Sequence, residues 1–241
     1  MTQSAMIIAH GQPSDPGPAE ADLARLARRV AAHLPGWRIG SATLAAPGAL
    51  AIAVKSLGPV GLAFPMFMAG GWFTRVQLPA KLSAVQGADW RVLEPLGCHP
   101  ALHDLAVQLV TAQAPASVVL AAHGSFQSAV PADIALHVAE SVARSTGIRT
   151  EAAFIDQSPR LSDISPHGRL SICLPFFAAS GSHVTDDIPA ALTKAGFQGR
   201  ILPALGLAPE IPALIARALA EGQPVCTSAC RWQREKPASA L

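Results

Sequence analysis

The chain has 241 residues, half of them hydrophobic and 14% charged, with a formal net charge of +2. That length and composition allow one large domain or two ordinary ones with a sizeable core, and so small a charge, with no basic stripe, excludes a nucleic-acid partner. Four scattered cysteines (Cys98, Cys173, Cys226 and Cys230) are too few for a disulfide scaffold, and no apolar run reaches the roughly 18 residues of a membrane span.

The N-terminal MTQSAMIIAHG has neither a basic n-region nor a long apolar h-region, so no signal peptide is expected and the protein is read as cytoplasmic. SAMIIA (4–9) predicts a buried strand. Leu23, Leu26, Val30 and Leu34 then recur at helical spacing until Gly36. WRIGSATL (37–44) reads as a strand, PGALAIAVKSL (47–57) as a helix and VGLAFPMF (60–67) as a strand. LPAKLSAV (78–85) is helical, WRVLEPL (90–96) a strand and HPALHDLAVQLVTA (99–112) a helix. The order then restarts. SVVLAA (117–122) is a strand, about Ala132 to Arg144 a helix, and RTEAAFI (149–155) and RLSICLPFF (169–177) are strands. DIPAALTKA (187–195) is a helix, GRILPAL (199–205) a strand and APEIPALIARALA (208–220) a helix. Continuous apolar strands alternating with helices predict parallel sheets covered on both faces, an α/β fold.

The restart is an internal repeat. AHG at 9–11 returns at 122–124, an offset of 113; Pro65 returns as Pro175 and LP at 78–79 as IP at 188–189, both at 110; PLGCHPAL (95–102) returns as ALGLAPEI (204–211) at 109. The halves are expected at 1–114 and 115–222, divided near AQAPAS (112–117), with 223–241 a mobile tail because its periodicity is lost. Two such halves would bring strand C-termini to one central cleft, where α/β proteins bind ligands. There His10, His123 and His183 gather.

His123 follows a buried strand and precedes Gly124 and Ser125; it reads either as a ligand-facing imidazole or as a hydrogen-bonded residue steadying its loop. His183 follows SGS and opens a helix whose first turn holds Asp186 and Asp187, an acidic turn that ordinary capping explains. As a pair they suit Fe(II), Co(II), Ni(II) or Zn(II) and also accept protons near neutral pH. Asp156 ends a strand and reads as a metal ligand, an orienting partner for an imidazole, or a loop cap. Its counterpart in the first half is taken as Leu44, and that of His183 is Phe73. His10 reads as a cleft residue or a relic of duplication. His99 and His103, four apart, read as a metal pair or a solvated helix start. Cys226 and Cys230 form a CxxxC that either ligates metal or does nothing. His33, His137 and His167 read as structural or surface residues, and Cys173 as inert core.

VVLAAHGS, AAFIDQSPRLSDI and ICLPFFAASGSHVTDDIPAAL together resemble the CbiX-type sirohydrochlorin chelatases, of the ATP-independent type II tetrapyrrole chelatases. The family pattern is a strand ending in HGS, a strand ending near an acidic residue before a proline, and a proline–hydrophobic–hydrophobic loop leading to G-x-H-V and D-[IL]-P. The second half carries all three. The first half keeps IIAHG and AFPMF…LP without the second histidine. The resemblance spans about residues 5–220 as a long, tandem form. It implies two Rossmann-like lobes facing a cleft, as in periplasmic binding proteins, and insertion of a divalent metal into sirohydrochlorin. His123 and His183 match the family's paired metal-handling histidines. Asp156 stands where relatives often carry Glu, and serves as a further metal ligand or a proton acceptor. In several long members the working pair lies in the N-terminal half; the C-terminal placement here is similar to that of related cobalt and haem-pathway chelatases.

The expected activity is therefore Fe(II) insertion giving sirohaem, with cobalt insertion for cobalamin or a non-catalytic tetrapyrrole or metal carrier as alternatives. A bilobal small-molecule binding protein without metal chemistry is a further rival. The absence of a His-rich tract, frequent in cobalt-handling relatives, leans to iron. No cofactor beyond the substrate metal is expected. Partners are sirohydrochlorin and a divalent ion, with no nucleic acid or membrane, and self-association is left open. Ser125, Phe176, Phe177, Gly181, Ser182, His10 and Arg160 are the expected substrate contacts, one of the two phenylalanines being expected to face the core instead, with Arg75 and Lys55 as further candidates for the macrocycle's eight carboxylates.

Overall fold

The computed structural model describes residues 3–85, 89–165, 167–227 and 230–234. In chain order the elements are β1 (Ser4–Ala9), α1 (Pro16–Ala31), β2 (Arg38–Thr43), α2 (Ala49–Leu57), β3 (Val60–Pro65), α3 (Leu78–Ser83), β4 (Asp89–Val92) and α4 (Pro100–Gln113). The second series is β5 (Ser117–Ala122), α5 (Val130–Thr146), β6 (Arg149–Phe154), β7 (Ile172–Pro175), α6 (Ile188–Lys194), β8 (Arg200–Ile201) and α7 (Ile211–Glu221). Each series forms a parallel four-stranded sheet of the same order, β2-β1-β3-β4 and β6-β5-β7-β8. The duplication read from the sequence is thus a duplication of topology.

The central strands β1 and β5 are buried on both faces: Ile7, Ile8, Val119 and Leu120 are all fully inaccessible. This is why they read as unbroken apolar runs rather than alternating ones. Around β1 pack Ala42, Val54, Leu57, Leu78, Leu82 and Val92. Around β5 pack Ala153, Leu161, Cys173, Ile188 and Leu192. Burial pushes the Cys173 thiol up to about 12, so it carries no thiolate at neutral pH.

The compact units do not follow the sequence halves. One comprises residues up to His99 together with Pro209–Thr227; the other comprises Pro100–Ala208 with the described residues after Thr227. The first unit therefore takes the chain's last helix, α7, which packs on α1 and β3, while α4 belongs to the second unit and packs on α5. Repeat order alone cannot reveal such an exchange, because the apolar faces of α4 and α7 are satisfied equally by either sheet's helix layer.

Residues 223–227 are not a loose tail. Glu94 N–H donates to the Gln223 carbonyl (2.9 Å) and Val225 N–H to the Val92 carbonyl (3.1 Å), with an antiparallel bridge between Leu93 and Pro224. The segment extends the first sheet beyond β4, and Pro224, lacking an N–H, sits on that edge where none is needed. Further on, Cys230 is buried, the Trp232 ring lies 4.4 Å from His137, and Arg234 pairs with Glu140 at 2.8 Å. Beside Trp232, burial and then Arg144 hold His137 below the usual imidazole range. The remainder of the expected tail, 235–241, lies outside the described residues.

Most of the expected strands are shortened, three of them strongly. WRVLEPL ends as a strand at Val92, and Leu96–Cys98 is a 3-10 turn; RLSICLPFF is extended only over Ile172–Pro175; GRILPAL only over Arg200–Ile201. Apolar content marks these segments as buried, but pairing length is set by neighbouring strands, which a one-chain pattern does not show.

Candidate metal site

Both histidines of the expected pair lie in the second unit, at the C-terminal ends of adjacent strands. β5 ends at Ala122, and His123 follows in a turn made by Gly124, whose φ is +79°. A Cβ there would lie 2.7 Å from Gln157 Cγ. Gln157 Oε1 also accepts the Ser125 N–H (2.7 Å), and Ser125 Oγ accepts the N–H groups of Gln127 (3.2 Å) and Ser128 (3.3 Å). Gly124→Ala is therefore expected to cost about 1–2 kcal/mol from the left-handed backbone alone. Gly181→Ala, with no atom within 4 Å of the added Cβ and no positive φ, should stay within about 0.5 kcal/mol of wild type. Urea titration of the two variants measures the contrast.

His183 opens a π-helical turn, His183–Asp187, that runs into α6. Pro189 lies just inside α6 and cannot donate to the carbonyl four residues back, which fits a widened ring immediately before it. The turn brings Asp187 Oδ2 to 2.6 Å from His183 Nδ1. Across the site, His123 Nδ1 lies 3.1 Å from the Gly124 carbonyl and 3.2 Å from Asp156 Oδ2. With both Nδ1 atoms held as donors, both Nε2 lone pairs are left facing outward from these anchors. They face each other: Nε2 to Nε2 is 3.2 Å, with the rings nearly perpendicular at 88°.

Two lone pairs opposed at this distance repel unless a cation lies between them. A proton on one Nε2 satisfies the pair. So does a metal ion: at metal–nitrogen bonds of about 2.1 Å, an N–metal–N angle of about 100° spans the observed separation. Nearly half of each side chain is exposed, so ions reach the site from water.

The sequence-predicted residues divide under this geometry. Asp156 stands on the Nδ1 side of His123, so it orients the imidazole and does not share the Nε2 face. Among the described residues, no group of three or more His, Cys, Asp or Glu is arranged to hold a metal. Phe176 is core, 2% exposed, rather than a substrate contact, whereas the Phe177 ring is half-buried and 6.4 Å from His183. Ser125 Oγ is occupied by its own loop. Ser182 and Gly181 are exposed beside His183, and Gly181 offers its carbonyl to the N–H groups of Val184 and Thr185. Arg160 is exposed, its backbone bridged to Phe154.

Elsewhere, His99 and His103 are neither a metal pair nor a solvated helix start. Both are buried: His99 Nε2 lies 3.1 Å from the Glu94 carbonyl in the first unit, and the His103 ring packs 4.8 Å from Trp232 in the second. Cys226 and Cys230 likewise fall in different units, with Cys226 Sγ accepting from Arg75 at 3.0 Å. Lys55 is exposed on α2. His167 is a structural residue, 2.6 Å from Ser117 Oγ and 2.5 Å from Glu151 Oε1.

The first unit holds the same scaffold with different side chains. Gly11 takes φ +76°, His10 Nδ1 lies 3.1 Å from the Gly11 carbonyl, and Phe73–Gln77 forms the matching π-turn. Ala45 N–H donates to the His10 carbonyl (2.9 Å) as Asp156 N–H does to that of His123 (3.0 Å). The structural counterpart of Asp156 is thus Ala45, not Leu44; the loop offset here is 111. His183, Asp187 and Asp156 are replaced by Phe73, Gln77 and Ala45. The Phe73 ring packs on His10 at 5.3 Å and on Phe67 at 5.1 Å.

Sequence reasoning missed Asp187 and Gln157. For Asp187 the signal was its spacing of four from His183, which places it on the same helical face. For Gln157 there was none beyond its place after Asp156.

The CbiX family model matches residues 117–222, the half that carries the opposed imidazoles. A comparison with curated proteins gives no match. Among solved structures, CbiX, the terminal enzyme for biosynthesis of siroheme in denitrifying bacteria, is 41% identical, over 91% of this chain and 99% of that one, with a TM-score of 0.83. The chain belongs to the CbiX family. Its kinship is with metal chelatases of the lyase class. More distant structures share the CbiX fold: SirB from Bacillus subtilis, solved with Fe3+, at 15% identity over 92% of this chain and 96% of that one (TM-score 0.73), and DR2241 from Deinococcus radiodurans at 19% over 91% and 55% (TM-score 0.68). No helix among the described residues is long and apolar enough to cross a membrane.

Proposed function

We propose that this CbiX-family chain is a sirohydrochlorin ferrochelatase that inserts Fe(II) without ATP, and that His123 and His183 are its metal-handling pair. The observation that carries the reading is the opposed Nε2 pair at 3.2 Å, each imidazole held from behind by a carboxylate. The 41%-identical relative, the terminal enzyme of siroheme biosynthesis, supports iron as the metal.

Insertion exchanges the metal for two pyrrole N–H protons. The ion is first held by both Nε2 lone pairs. As it moves to the pyrrole nitrogens those lone pairs are released, and the same two atoms take the two protons. Asp156 and Asp187 stabilise each imidazolium through its Nδ1–H. Two positive charges about 3.2 Å apart would repel by about 5 kcal/mol at an effective dielectric of 20, and by about 1 kcal/mol in water. The open rims of both rings favour the second value and let protons leave to solvent one after the other.

The test is the visible spectrum of sirohydrochlorin under anaerobic conditions with Fe(II) and, separately, Co(II). The expected result is insertion faster than the spontaneous rate, fastest with iron. Faster cobalt insertion would reassign the metal. Binding of the macrocycle with no acceleration would make the protein a carrier.

A further inference from the structure

We propose that Phe126 is a positioning residue on which the tetrapyrrole stacks while its centre faces the histidine pair, an inference that rests on the chelatase reading. Phe126 is 77% exposed, one of the most exposed large hydrophobic side chains among the described residues. Leaving such a ring in water forgoes the burial that usually keeps phenylalanine inside. It does not stand on a loose loop. The residue before it, Ser125, is tied to Gln157 through its N–H and holds the next two N–H groups, of Gln127 and Ser128, on its Oγ. The ring therefore stands exposed on a backbone turn closed by hydrogen bonds on both sides of it.

Its place is fixed relative to the chemistry. Three Cα–Cα steps separate it from His123, so the two Cα atoms lie within about 11 Å even if the chain were fully extended, and the closed turn shortens this. A flat macrocycle whose centre meets the His123 and His183 Nε2 atoms extends on all sides of them. On the His183 side Phe177 flanks the pair, at 6.4 Å between rings. On the loop that carries His123 the exposed aromatic is Phe126. The first unit supplies a comparison within the same chain: at the offset of 113 that relates His10 to His123, Phe126 corresponds to Pro13, and Phe73 stands there in the place of His183. The aromatic accompanies the half that keeps the histidine pair. An exposed ring offset-stacked on a conjugated face gains dispersion and sheds water from both surfaces.

The experiment is steady-state metallation of sirohydrochlorin by wild type, Phe126→Ala and Phe126→Trp, with Co(II) binding measured in the absence of tetrapyrrole. Phe126→Ala is expected to raise the KM for sirohydrochlorin about tenfold, leave kcat within twofold, and leave Co(II) affinity unchanged. Phe126→Trp should restore the KM, and the added indole emission should be quenched on tetrapyrrole binding. A KM within twofold of wild type in Phe126→Ala overturns the proposal. So does a loss of Co(II) affinity alongside the KM change, because Phe126 would then be shaping the His123 loop. Failure of the chelatase reading is separate, since it appears as wild type that does not metallate.

Discussion

His183→Ala is expected to bring metal insertion into sirohydrochlorin down to the spontaneous rate, and His123→Ala to do the same. Each variant leaves one imidazole where two Nε2 atoms stood 3.2 Å apart, so the ion loses its second nitrogen and one of the two protons loses its acceptor. Asp187→Asn should act through His183. An amide accepts less strongly than a carboxylate from Nδ1–H and can turn its NH2 group toward the ring, which releases the tautomer that exposes Nε2. Partners of this kind typically contribute 10–100-fold in metal affinity or activity. His10→Ala, in the unit where Phe73 replaces the second histidine, should keep most of the rate. Anaerobic spectral assays of the four variants, with circular dichroism to confirm folding, decide the matter. Wild-type rates in His183→Ala would remove the pair from the reaction.

The triple change Phe73→His, Ala45→Asp and Gln77→Asp is expected to raise Co(II) binding from one ion per chain to two. The first unit already has the turn at Gly11, the Nδ1 contact of His10 to the Gly11 carbonyl, and the π-turn that spaces positions 73 and 77 as 183 and 187 are spaced. It lacks only the donor atoms. Gln77 Oε1 is moreover buried there without a hydrogen-bond partner, so replacing that amide removes an unsatisfied polar atom. Phe73→His alone should bind more weakly, because no carboxylate would fix the new ring's tautomer. Equilibrium dialysis in a His183→Ala background isolates the engineered site. If no ion binds in that background, the two scaffolds differ in a way their backbones do not reveal.

The histidine pair is legible in the amino-acid order because both residues follow buried strands and sit among Gly and Ser, a pattern that puts an imidazole at a strand end with room beside it. The repeat is legible for the same reason: AHG, the loop prolines and the two xP helix starts keep their order at offsets of 109 to 113. Asp187 reads in the sequence as a capping acid, because any acid at a helix start satisfies that explanation and only the π-turn shows that it reaches His183. The sequence puts the counterpart of Asp156 one residue off, at Leu44, because loop offsets drift between strands and only the hydrogen bond to the His10 carbonyl sets the register at Ala45. Phe176 and Phe177 are indistinguishable by type; only the structure shows that Phe176 is core and that the Phe177 ring lies 6.4 Å from His183.

The amino-acid order by itself determined the two parallel sheets, since runs buried on both faces admit little but a covered parallel strand, and it determined which half keeps the pair of His123 and His183. The tertiary structure alone decided that His99 and His103 fall in different compact units, that α4 and α7 change sides, and that residues 223–227 lengthen the first sheet. It alone decided that the two imidazoles meet Nε2 to Nε2 with a carboxylate behind each. Most of these depend on which surfaces meet far along the chain, and an apolar helix face or an imidazole carries no local mark of the partner that will satisfy it.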